Sequence, residues 1–428
     1  MDPGGHAVNF NGLMTTFVVI LFLMSPSEIF WDFSLYNAHP YSITYKLWSG
    51  GLNIFDILFC FILIIKSLTI RNIPYRVLKP LFTWIAINAI GVATLVSNGY
   101  SLTLYYDGML FAARTVVFGL LIWFWIKEIG AISVMKVFTS SIVILAAISI
   151  VAQTLLGYSG TVDNRLNMLA MGPNIASDLA ILSMTVMLYL SHNKKIAKSY
   201  FWISAIILLV FLPLAGSRRF IIYVLIFSTM HLYAIGAKRA LVLSFAGLTI
   251  LFIALSTQGI DLVFSGTSIE RRIAETIDRY QTANTVDGRS EIYRAALDLL
   301  WNHPFGIGNS DWLIQEQLRP YGFTSHTHNI IAQFYLKYGP LSFLALAWVV
   351  FALLRSSRQS PHLLAIVAIL ALINTTGYPY WNQKALFVHL GLILTIIKIG
   401  EQWTDHKVSN QPDALNNQVV RRLPDGVS

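Results

Sequence analysis

The sequence predicts an all-α polytopic membrane protein with about 12 transmembrane helices and one large, partly helical outer loop. Of the 428 residues, 55% are hydrophobic and only 12% are charged, which is too little polar surface to cover a soluble globule of this length. The apolar residues fall in runs of about 20, the length that a helix needs to cross the hydrocarbon core. One polar stretch, residues 258–325, interrupts these runs.

The predicted spans follow one another through short connections, apart from that polar stretch. They cover residues 10–26, 48–65, 77–97, 102–126, 131–152, 171–190, 199–216, 219–236, 240–257, 328–354, 362–378 and 384–400. Asp107 and Arg114 share a face of the fourth span, so we expect Arg114 to form a structural ion pair there. Asp56, His231 and His389 are single polar residues within spans and are expected to be packed and hydrogen-bonded.

The distribution of lysine and arginine among the short connections predicts the orientation. Alternate connections carry nearly all of these residues: Lys66, Arg71, Arg76, Lys79, Lys127, Lys136, Lys194, Lys195, Lys198, Lys238, Arg239, Arg355 and Arg358. Because cytoplasmic loops carry such an excess, both termini are predicted to be cytoplasmic and the polar stretch to face outward. The first apolar run lacks a basic leader and a cleavage site, so we expect it to be retained as a span.

The chain is predicted to form one membrane domain, residues 1–400, followed by a polar and disordered cytoplasmic tail, residues 401–428. The single cysteine, Cys60, lies in a predicted span, which argues against an internal disulfide. The formal net charge of +9 lies largely on the predicted cytoplasmic loops and tail. Contact with anionic membrane lipids accounts for it there, so nucleic acid is not an expected partner.

The polar stretch is predicted to contain three short helices. They cover about 269–280, 290–302 and 311–318. Thr267 and Glu270 have the spacing of a capping box ahead of the first helix, whose apolar face would lie on the membrane surface. The turn at 304–308 ends the second helix, and Pro320 follows the third.

Every basic residue of the polar stretch apart from histidine is an arginine. They are Arg271, Arg272, Arg279, Arg289, Arg294 and Arg319. Arginine binds two phosphate oxygens at once through its planar fork, so this choice favours a phosphate-bearing ligand. Arg218 ends a span near the predicted outer face, where a charge is costly unless it is paired or functional, whereas Arg219 is expected to snorkel to the interface. Arg165 is a further candidate cation for the same cavity, with a solvated loop charge as the alternative.

A histidine pair, His326 and His328, follows the polar stretch and supplies a candidate base. Two residues apart at the start of a helix, the two side chains point in different directions, so one of them is expected to face a given cavity. The alternative is a capping or hydrogen-bonded role. The sequence contains no Asp-x-Asp pair, phosphate-binding glycine loop, Cys/His cluster or Gly-x-Ser-x-Gly elbow, so we expect neither a metal nor a cofactor.

Several short motifs occur in a characteristic order. They are Gly172-Pro173-Asn174, Ser217-Arg218, Gly288-Arg289-Ser290-Glu291-Ile292-Tyr293, Asn302-His303-Pro304-Phe305-Gly306-Ile307-Gly308, His326-Thr327-His328-Asn329 and Tyr338-Gly339-Pro340-Leu341. Together they resemble the O-antigen ligase and O-antigen polymerase superfamily of bacterial envelope glycosyltransferases. The resemblance covers about 165–344 in motifs and the whole chain in topology.

The resemblance implies a metal-independent, inverting transfer of a glycan from undecaprenyl diphosphate to a lipid A-core sugar, on the periplasmic side of the bacterial inner membrane. His328 is implied to be the base that deprotonates the acceptor hydroxyl, and Arg289 and Arg218 are implied to bind the diphosphate. Arg165 and His326 are further substrate-binding candidates. Many relatives have an acidic residue where this chain has Lys337, which leaves the orienting partner of the base unassigned.

Three alternatives stay open. A polymerase would use the same donor with a second lipid-linked repeat as acceptor; the single large late loop and the lysine in the helix after the histidines favour a ligase. A glycosyltransferase with a carboxylate base would use Glu28 or Asp32 of the first outer loop. A transporter of the same lipid would need polar residues throughout the membrane midplane, whereas the basic residues off the cytoplasmic side cluster near the outer surface.

Overall fold

The described part of the chain is almost entirely helical in the computed structural model. The structure describes residues 10–24, 54–69, 75–102, 106–156, 161–162, 165–166, 168, 173–215, 228–229, 288–321, 327, 329–358, 360–376 and 383–409. The helices, numbered within these residues, are α1 (Phe10–Leu23), α2 (Ile54–Thr69), α3 (Tyr75–Ser97), α4 (Tyr106–Ile129), α5 (Ala131–Leu156), α6 (Pro173–His192), α7 (Lys198–Ala215), α8 (Gly288–Asn302), α9 (Asp311–Leu318), α10 (Ile330–Tyr338), α11 (Leu341–Ser357), α12 (Pro361–Thr376) and α13 (Gln383–Ser409). A short antiparallel hairpin, β1 (Thr161–Val162) and β2 (Arg165–Leu166), lies between α5 and α6.

The apolar helices support a multi-pass membrane protein. Within the described ranges, five helical stretches are long and apolar enough to cross a membrane: Leu78–Ser97, Gly108–Ile129, Ala131–Ala152, Asn174–His192 and Lys384–Trp403. Shorter apolar stretches are Gly12–Leu23, Lys198–Leu212, Leu341–Ser357 and Pro361–Thr375. The predicted spans 219–236 and 240–257 and the predicted loop helix 269–280 lie outside the described residues, and the total of 12 spans stays a prediction.

The predicted span 328–354 is wrong, because the helix breaks in its middle. α10 ends at Tyr338, and Gly339 takes a positive φ of 65°. Glycine reaches this backbone conformation without the steric cost that a side chain brings, and Pro340 cannot donate a hydrogen bond to the preceding turn. α11 then begins at Leu341. The break makes α10 a separate short helix that packs beside α3.

The last helix runs past the predicted end of the membrane domain. α13 continues beyond residue 400 to Ser409, and an ion pair between Lys398 and Glu401, with Nζ and Oε2 3.0 Å apart, lies along this extension. Residues 410–428 lie outside the described residues. The segment that the sequence predicts as a disordered tail therefore begins within a helix.

An aromatic cluster holds the bundle together. Phe22 of α1, Phe59 of α2, Phe118 of α4 and Phe387 of α13 all contact one another, with ring centroids 4.9 to 5.8 Å apart. Tilted, edge-to-face and offset-stacked contacts at this distance are favourable beyond the burial of the rings. Four helices that are distant in sequence therefore share one core.

A two-pronged ion pair joins α2 to α4. Arg114 donates from Nε to Oδ1 of Asp56 at 2.9 Å and from Nη2 to Oδ2 at 2.7 Å. The structure thus gives Asp56 as a partner in the expected structural ion pair, while the side chain of Asp107 lies outside the described residues. His389 is fully buried in α13, as expected of a packed residue, and His231 is not among the described residues.

Basic residues gather at one end of the helix bundle, which we call the basic end. Here α2, α4, α6 and α11 end and α3, α5, α7 and α12 begin. Lys66 at the end of α2 pairs with Glu128 at the end of α4. The rings of His192 and His362, at 4.3 Å between centroids, join the end of α6 to the start of α12. The described connections therefore bring the basic residues to one end, as their alternation in the sequence predicts.

The opposite end, which we call the polar end, carries α8, α9 and the start of α10. Asn98, just after α3, donates from Nδ2 to the carbonyl oxygens of Gly306 and Ile307 at 3.2 and 3.0 Å. Asn329 donates from Nδ2 to the carbonyl of Thr375 in the last turn of α12, at 3.1 Å. These contacts fix the turn after α8 against the end of α3, and the start of α10 against the end of α12.

Candidate functional site

Helix α8 carries the arginine motif at the polar end. It begins at Gly288, so Arg289 stands at its amino end, which confirms the predicted helix. The adjacent Ala295 and Ala296 are both buried, and Ala295 and Leu299 pack in a cluster with Leu313 of α9. Small side chains at these positions let α8 approach its neighbours closely. This packing fixes α8 at the polar end, while the side chain of Arg289 lies outside the described residues.

The outer face of α8 and the following turn is aromatic and exposed. Leu297, Trp301 and Phe305 are 64%, 88% and 75% exposed. Large apolar side chains that stay exposed mark a surface that meets lipid or a partner, and tryptophan is enriched at the membrane interface. α8 therefore presents an apolar surface on one face and a packed surface on the other.

The glycine-rich turn after α8 clamps α10 against α3. Ile307 and Gly308 both donate their N–H groups to the carbonyl of Leu336, at 2.6 and 3.2 Å. The Tyr335 hydroxyl donates to the carbonyl of Pro304 at 2.7 Å. Gly308 has a φ of 127°, and a Cβ added to it would lie 2.6 Å from Cβ of Leu95 on α3. Both the backbone conformation and the close approach therefore require glycine here.

Replacement of Gly308 by Ala is expected to lower the free energy of unfolding by about 2 to 4 kcal/mol, because backbone strain and a clash with the α3 backbone add together. Thermal unfolding of the purified protein in detergent measures this. Gly99→Ala is the matched control, since Gly99 has a φ of 78° but nothing within 4 Å of an added Cβ. Equal unfolding temperatures for the two variants would contradict the close packing of the turn on α3.

The histidine motif leads into α10 through a helix cap. The side chain of Asn329 accepts hydrogen bonds at Oδ1 from the N–H groups of Ile331 and Ala332, at 2.8 and 3.2 Å. Asn329 is the N-cap of α10, and it provides an acceptor for two N–H groups that have none within the helix. His326 and His328 lie outside the described residues. The residues on both sides of His328, Thr327 and Asn329, are described, and Thr327 is fully buried.

A buried polar network lies next to this motif. Lys337, with no exposed side-chain surface, donates from Nζ to Oδ2 of Asp311 at 2.6 Å. Gln333 donates from Nε2 to Oδ1 of the same carboxylate at 2.7 Å. The Gln333 Oε1 in turn accepts from the backbone N–H of Thr327 at 3.3 Å and from its hydroxyl at 3.1 Å. We call the residues Lys337, Asp311, Gln333 and Thr327 the α10 relay.

The α10 relay is absent from the site that the sequence predicts. Its sequence signal is the spacing of Gln333 and Lys337, one turn apart on α10, within an otherwise apolar run. Asp311 belongs to a different helix, so only the folded chain brings the carboxylate to them. The lysine that departs from the pattern of the resembled family thus has an acidic partner.

The aromatic rings of α10 dock it onto α3 and α4. Trp84 of α3 meets Tyr338 with centroids 5.8 Å apart, and Phe111 of α4 meets Phe334 at 6.3 Å. The Tyr338 hydroxyl donates to Oδ1 of Asn88 at 3.3 Å. Helix α10 is therefore held along its length between the relay and this aromatic contact.

The structure also shows where Arg165 lies and where the helix before Arg218 ends. Arg165 lies in β2, which packs against α5 and α7 at the polar end, and its side chain is outside the described residues. α7 ends at Ala215, and Arg218 follows outside the described residues. Arg165 and Arg289 therefore share the polar end. Among the described residues, no group of three or more His, Cys, Asp or Glu side chains is placed to hold a metal ion.

The comparisons with known proteins bear on the segment that carries these elements. A model of the O-antigen ligase family matches residues 203–347, from within α7 to within α11. The match includes Arg218, Arg289, His326, His328 and the whole α10 relay. Comparison with curated proteins gives no match. Over residues 203–347 the chain is therefore similar to the O-antigen ligase family, and this supports the resemblance to the O-antigen ligase and polymerase superfamily.

Proposed function

We propose that the protein is an O-antigen ligase, which transfers a glycan from undecaprenyl diphosphate to a lipid A-core sugar. The observation that carries the proposal is the family match over 203–347, because this segment includes the arginine and histidine motifs. Its described helices α8–α10 pack together at the polar end, opposite the basic end. A lipid-linked glycan acting as donor needs a polar site beside the membrane, and this end of the bundle provides one.

The orientation follows from the charges. Cytoplasmic loops carry the excess of lysine and arginine, so the basic end is assigned to the cytoplasm and the polar end to the periplasm. In this orientation both termini are cytoplasmic, the protein lies in the bacterial inner membrane, and the polar stretch 258–325 is the periplasmic loop. The exposed apolar residues Leu297, Trp301 and Phe305 then lie at the periplasmic surface of the inner membrane, where both lipid substrates are held.

The chemistry assigns one role to each candidate residue. His328 takes the proton of the acceptor hydroxyl as its oxygen attacks the anomeric carbon of the donor glycan. The bond from that carbon to the diphosphate oxygen breaks, and the electron pair leaves with undecaprenyl diphosphate. Attack from the opposite side inverts the anomeric configuration. Arg289 and Arg218 stabilise the negative charge that develops on the leaving diphosphate, so no metal ion is needed.

The amino end of α8 suits the diphosphate. The first N–H groups of a helix have no partner within it, and the helix dipole is positive at this end. Arg289 is the second residue of α8, so its guanidinium adds a full charge to this partial one. Arg165 is assigned as a further cation of the same cavity, and His326 is assigned to the acceptor sugar.

A competition between two acceptors tests the proposal. Purified protein is given a defined undecaprenyl diphosphate-linked glycan together with lipid A-core in the presence of a chelator, and the products are separated by mass. We expect the glycan to be joined to lipid A-core. Longer undecaprenyl-linked chains would instead make the protein a polymerase.

The remaining alternatives have their own outcome in this experiment. Absence of both products would contradict glycan transfer and favour a transporter of the lipid-linked glycan. Transfer that persists in His328→Ala would favour the carboxylate alternative, with Glu28 or Asp32 as base. Both carboxylates lie outside the described residues.

A further inference from the structure

We infer that the α10 relay positions Thr327, the residue before His328, so that Lys337, Asp311 and Gln333 are positioning residues for the transfer. The inference rests on the proposed function, in which His328 is the base. It supplies the orienting partner that the sequence leaves unassigned. The argument runs from the buried lysine to the backbone of Thr327.

The first link is the ion pair between Lys337 and Asp311. An ammonium group without exposed surface is costly unless it is paired and hydrogen-bonded. Nζ of Lys337 lies 2.6 Å from Oδ2 of Asp311 and 4.8 Å from the ring centroid of Phe111, which adds a cation–π contact. Lys337 therefore holds the carboxylate of Asp311 in one position.

The position of Asp311 is also set by its own helix. Ser310 is the N-cap of α9 and accepts at its side chain from the N–H of Leu313 at 3.2 Å. Asp311 is the next residue and so stands in the first turn, where a negative charge interacts favourably with the helix dipole. The carboxylate is thus held both by the lysine and by the start of α9.

The second link is the polarity of the Gln333 amide. An ionised carboxylate only accepts hydrogen bonds, so the NH₂ group of Gln333 has to face Asp311. Nε2 and Oδ1 are 2.7 Å apart. Consequently Oε1 faces the other way, where it accepts from the N–H and the hydroxyl of Thr327. The charge on Asp311 therefore decides which end of the amide meets the histidine motif.

The third link is the chain itself. Thr327 is held by Gln333, and its hydroxyl lies 3.0 Å from the carbonyl oxygen of Asn329. Asn329 is held by the cap of α10 and by its bond to Thr375 of α12. His328 is covalently joined to both residues. Hydrogen bonds therefore fix both neighbours of His328, and the position of Thr327 depends on the relay.

The relay does more than pack α10. An apolar pair of similar volume often replaces a buried ion pair with little loss of stability. Such a pair gives the NH₂ group of Gln333 no acceptor, however, so nothing sets which end of the amide faces Thr327, and stability and orientation separate on substitution. A displacement of about 1 Å at a reacting group can cost about a hundredfold in rate. This is the scale of effect expected of a positioning residue.

The test measures transfer kinetics of full-length variants in the acceptor assay. Gln333→Leu is expected to lower kcat by about 10- to 100-fold, with KM for both lipids changed by less than about twofold and the unfolding temperature retained. Gln317→Leu is the matched control, because Gln317 is a half-buried glutamine of α9 that donates to the Tyr100 hydroxyl at 3.1 Å and not to the histidine motif. Its kcat is expected to stay that of the wild type.

A pair of charge variants tests the ion-pair link. Lys337→Met removes the ammonium group that pairs with the carboxylate of Asp311 and is expected to lower kcat. Adding Asp311→Asn removes the second charge but keeps an oxygen that accepts from Nε2 of Gln333. The double variant keeps an acceptor for the Gln333 amide but not the charge that sets its direction, so it is expected to recover part of the kcat that the single variant loses, an interaction that a merely additive structural effect does not produce.

An activity-independent readout separates the relay from the proposed function. Hydrogen exchange of the peptide that contains Thr327 is expected to be faster in Gln333→Leu than in the wild type or in Gln317→Leu. A wild type that transfers no glycan, with this exchange difference present, would overturn the proposed function and keep the relay contact. A Gln333→Leu variant with wild-type kcat, or one that changes only KM, would overturn the positioning role while leaving the ligase proposal in place.

Discussion

Replacement of His328 by Ala is expected to lower the rate of glycan transfer by about 10²- to 10⁴-fold, the usual contribution of a general base. A sugar hydroxyl is a weak nucleophile until its proton is removed in the transition state. No nearby side chain is assigned to that task besides His328. The initial rate of product formation, followed by mass, measures the effect, with the unfolding temperature showing that the variant is folded.

The matched control is a histidine at the other end of the bundle. His192 lies at the basic end, with its ring against that of His362, so His192→Phe keeps the ring contact and removes the imidazole. Its transfer rate is expected to equal that of the wild type. A folded His328→Ala variant with full activity would rule out the proposed base.

Replacement of Arg289 by Ala is expected to lower kcat by about 10²- to 10³-fold, as loss of one charged donor at a developing anion does. The diphosphate gains negative charge as its bond to the sugar breaks, so the arginine contributes more in the transition state than in the bound donor. Loss of kcat is therefore expected to exceed the rise in KM. Arg218→Ala is expected to act in the same direction. Steady-state kinetics with varied donor concentration measure both parameters.

Two further variants sharpen this prediction. Arg289→Lys keeps the charge but loses the planar fork, so it is expected to restore only part of the rate. Arg294→Ala is the control, since Arg294 is an exposed arginine of the same helix, five residues later. A rate for Arg289→Lys equal to that of the wild type, or an equal loss in Arg294→Ala, would contradict a specific diphosphate contact at Arg289.

The helices of the polar end were predictable because their signals are local. Ser310 caps α9, and the glycines and the proline of the turn at 304–308 end α8. Such signals act within a few residues and need no knowledge of the fold. The predicted break between the second and third loop helices is therefore confirmed by the structure.

The error over residues 328–354 has the opposite cause. A hydropathy window averages over about 20 residues and so reads through a single turn. Gly339 and Pro340 indicate the break, but the apolar residues on either side dominate the average hydropathy of the window. The structure adds the reason that glycine is needed, because a Cβ at this position would collide with the backbone of Phe305.

The α10 relay shows what sequence patterns leave out. Lys337 and Asp311 are 26 residues apart, and Arg114 and Asp56 are 58 apart. Neither distance corresponds to a helical or strand repeat, so each pairing depends on how the helices pack. The sequence indicates that arginines and histidines form the site. The partners that hold Thr327 are evident only from the folded chain.

The most direct test of glycan transfer as proposed is a stoichiometric reaction in the presence of a chelator. Purified protein is mixed with the undecaprenyl diphosphate-linked glycan and lipid A-core, and mass spectrometry follows both lipids. The proposal predicts one undecaprenyl diphosphate released for each glycan joined to lipid A-core, and release that is at least about 10²-fold slower with His328→Ala. A reaction that stops when metal is removed, or that His328→Ala carries out at the wild-type rate, would contradict it.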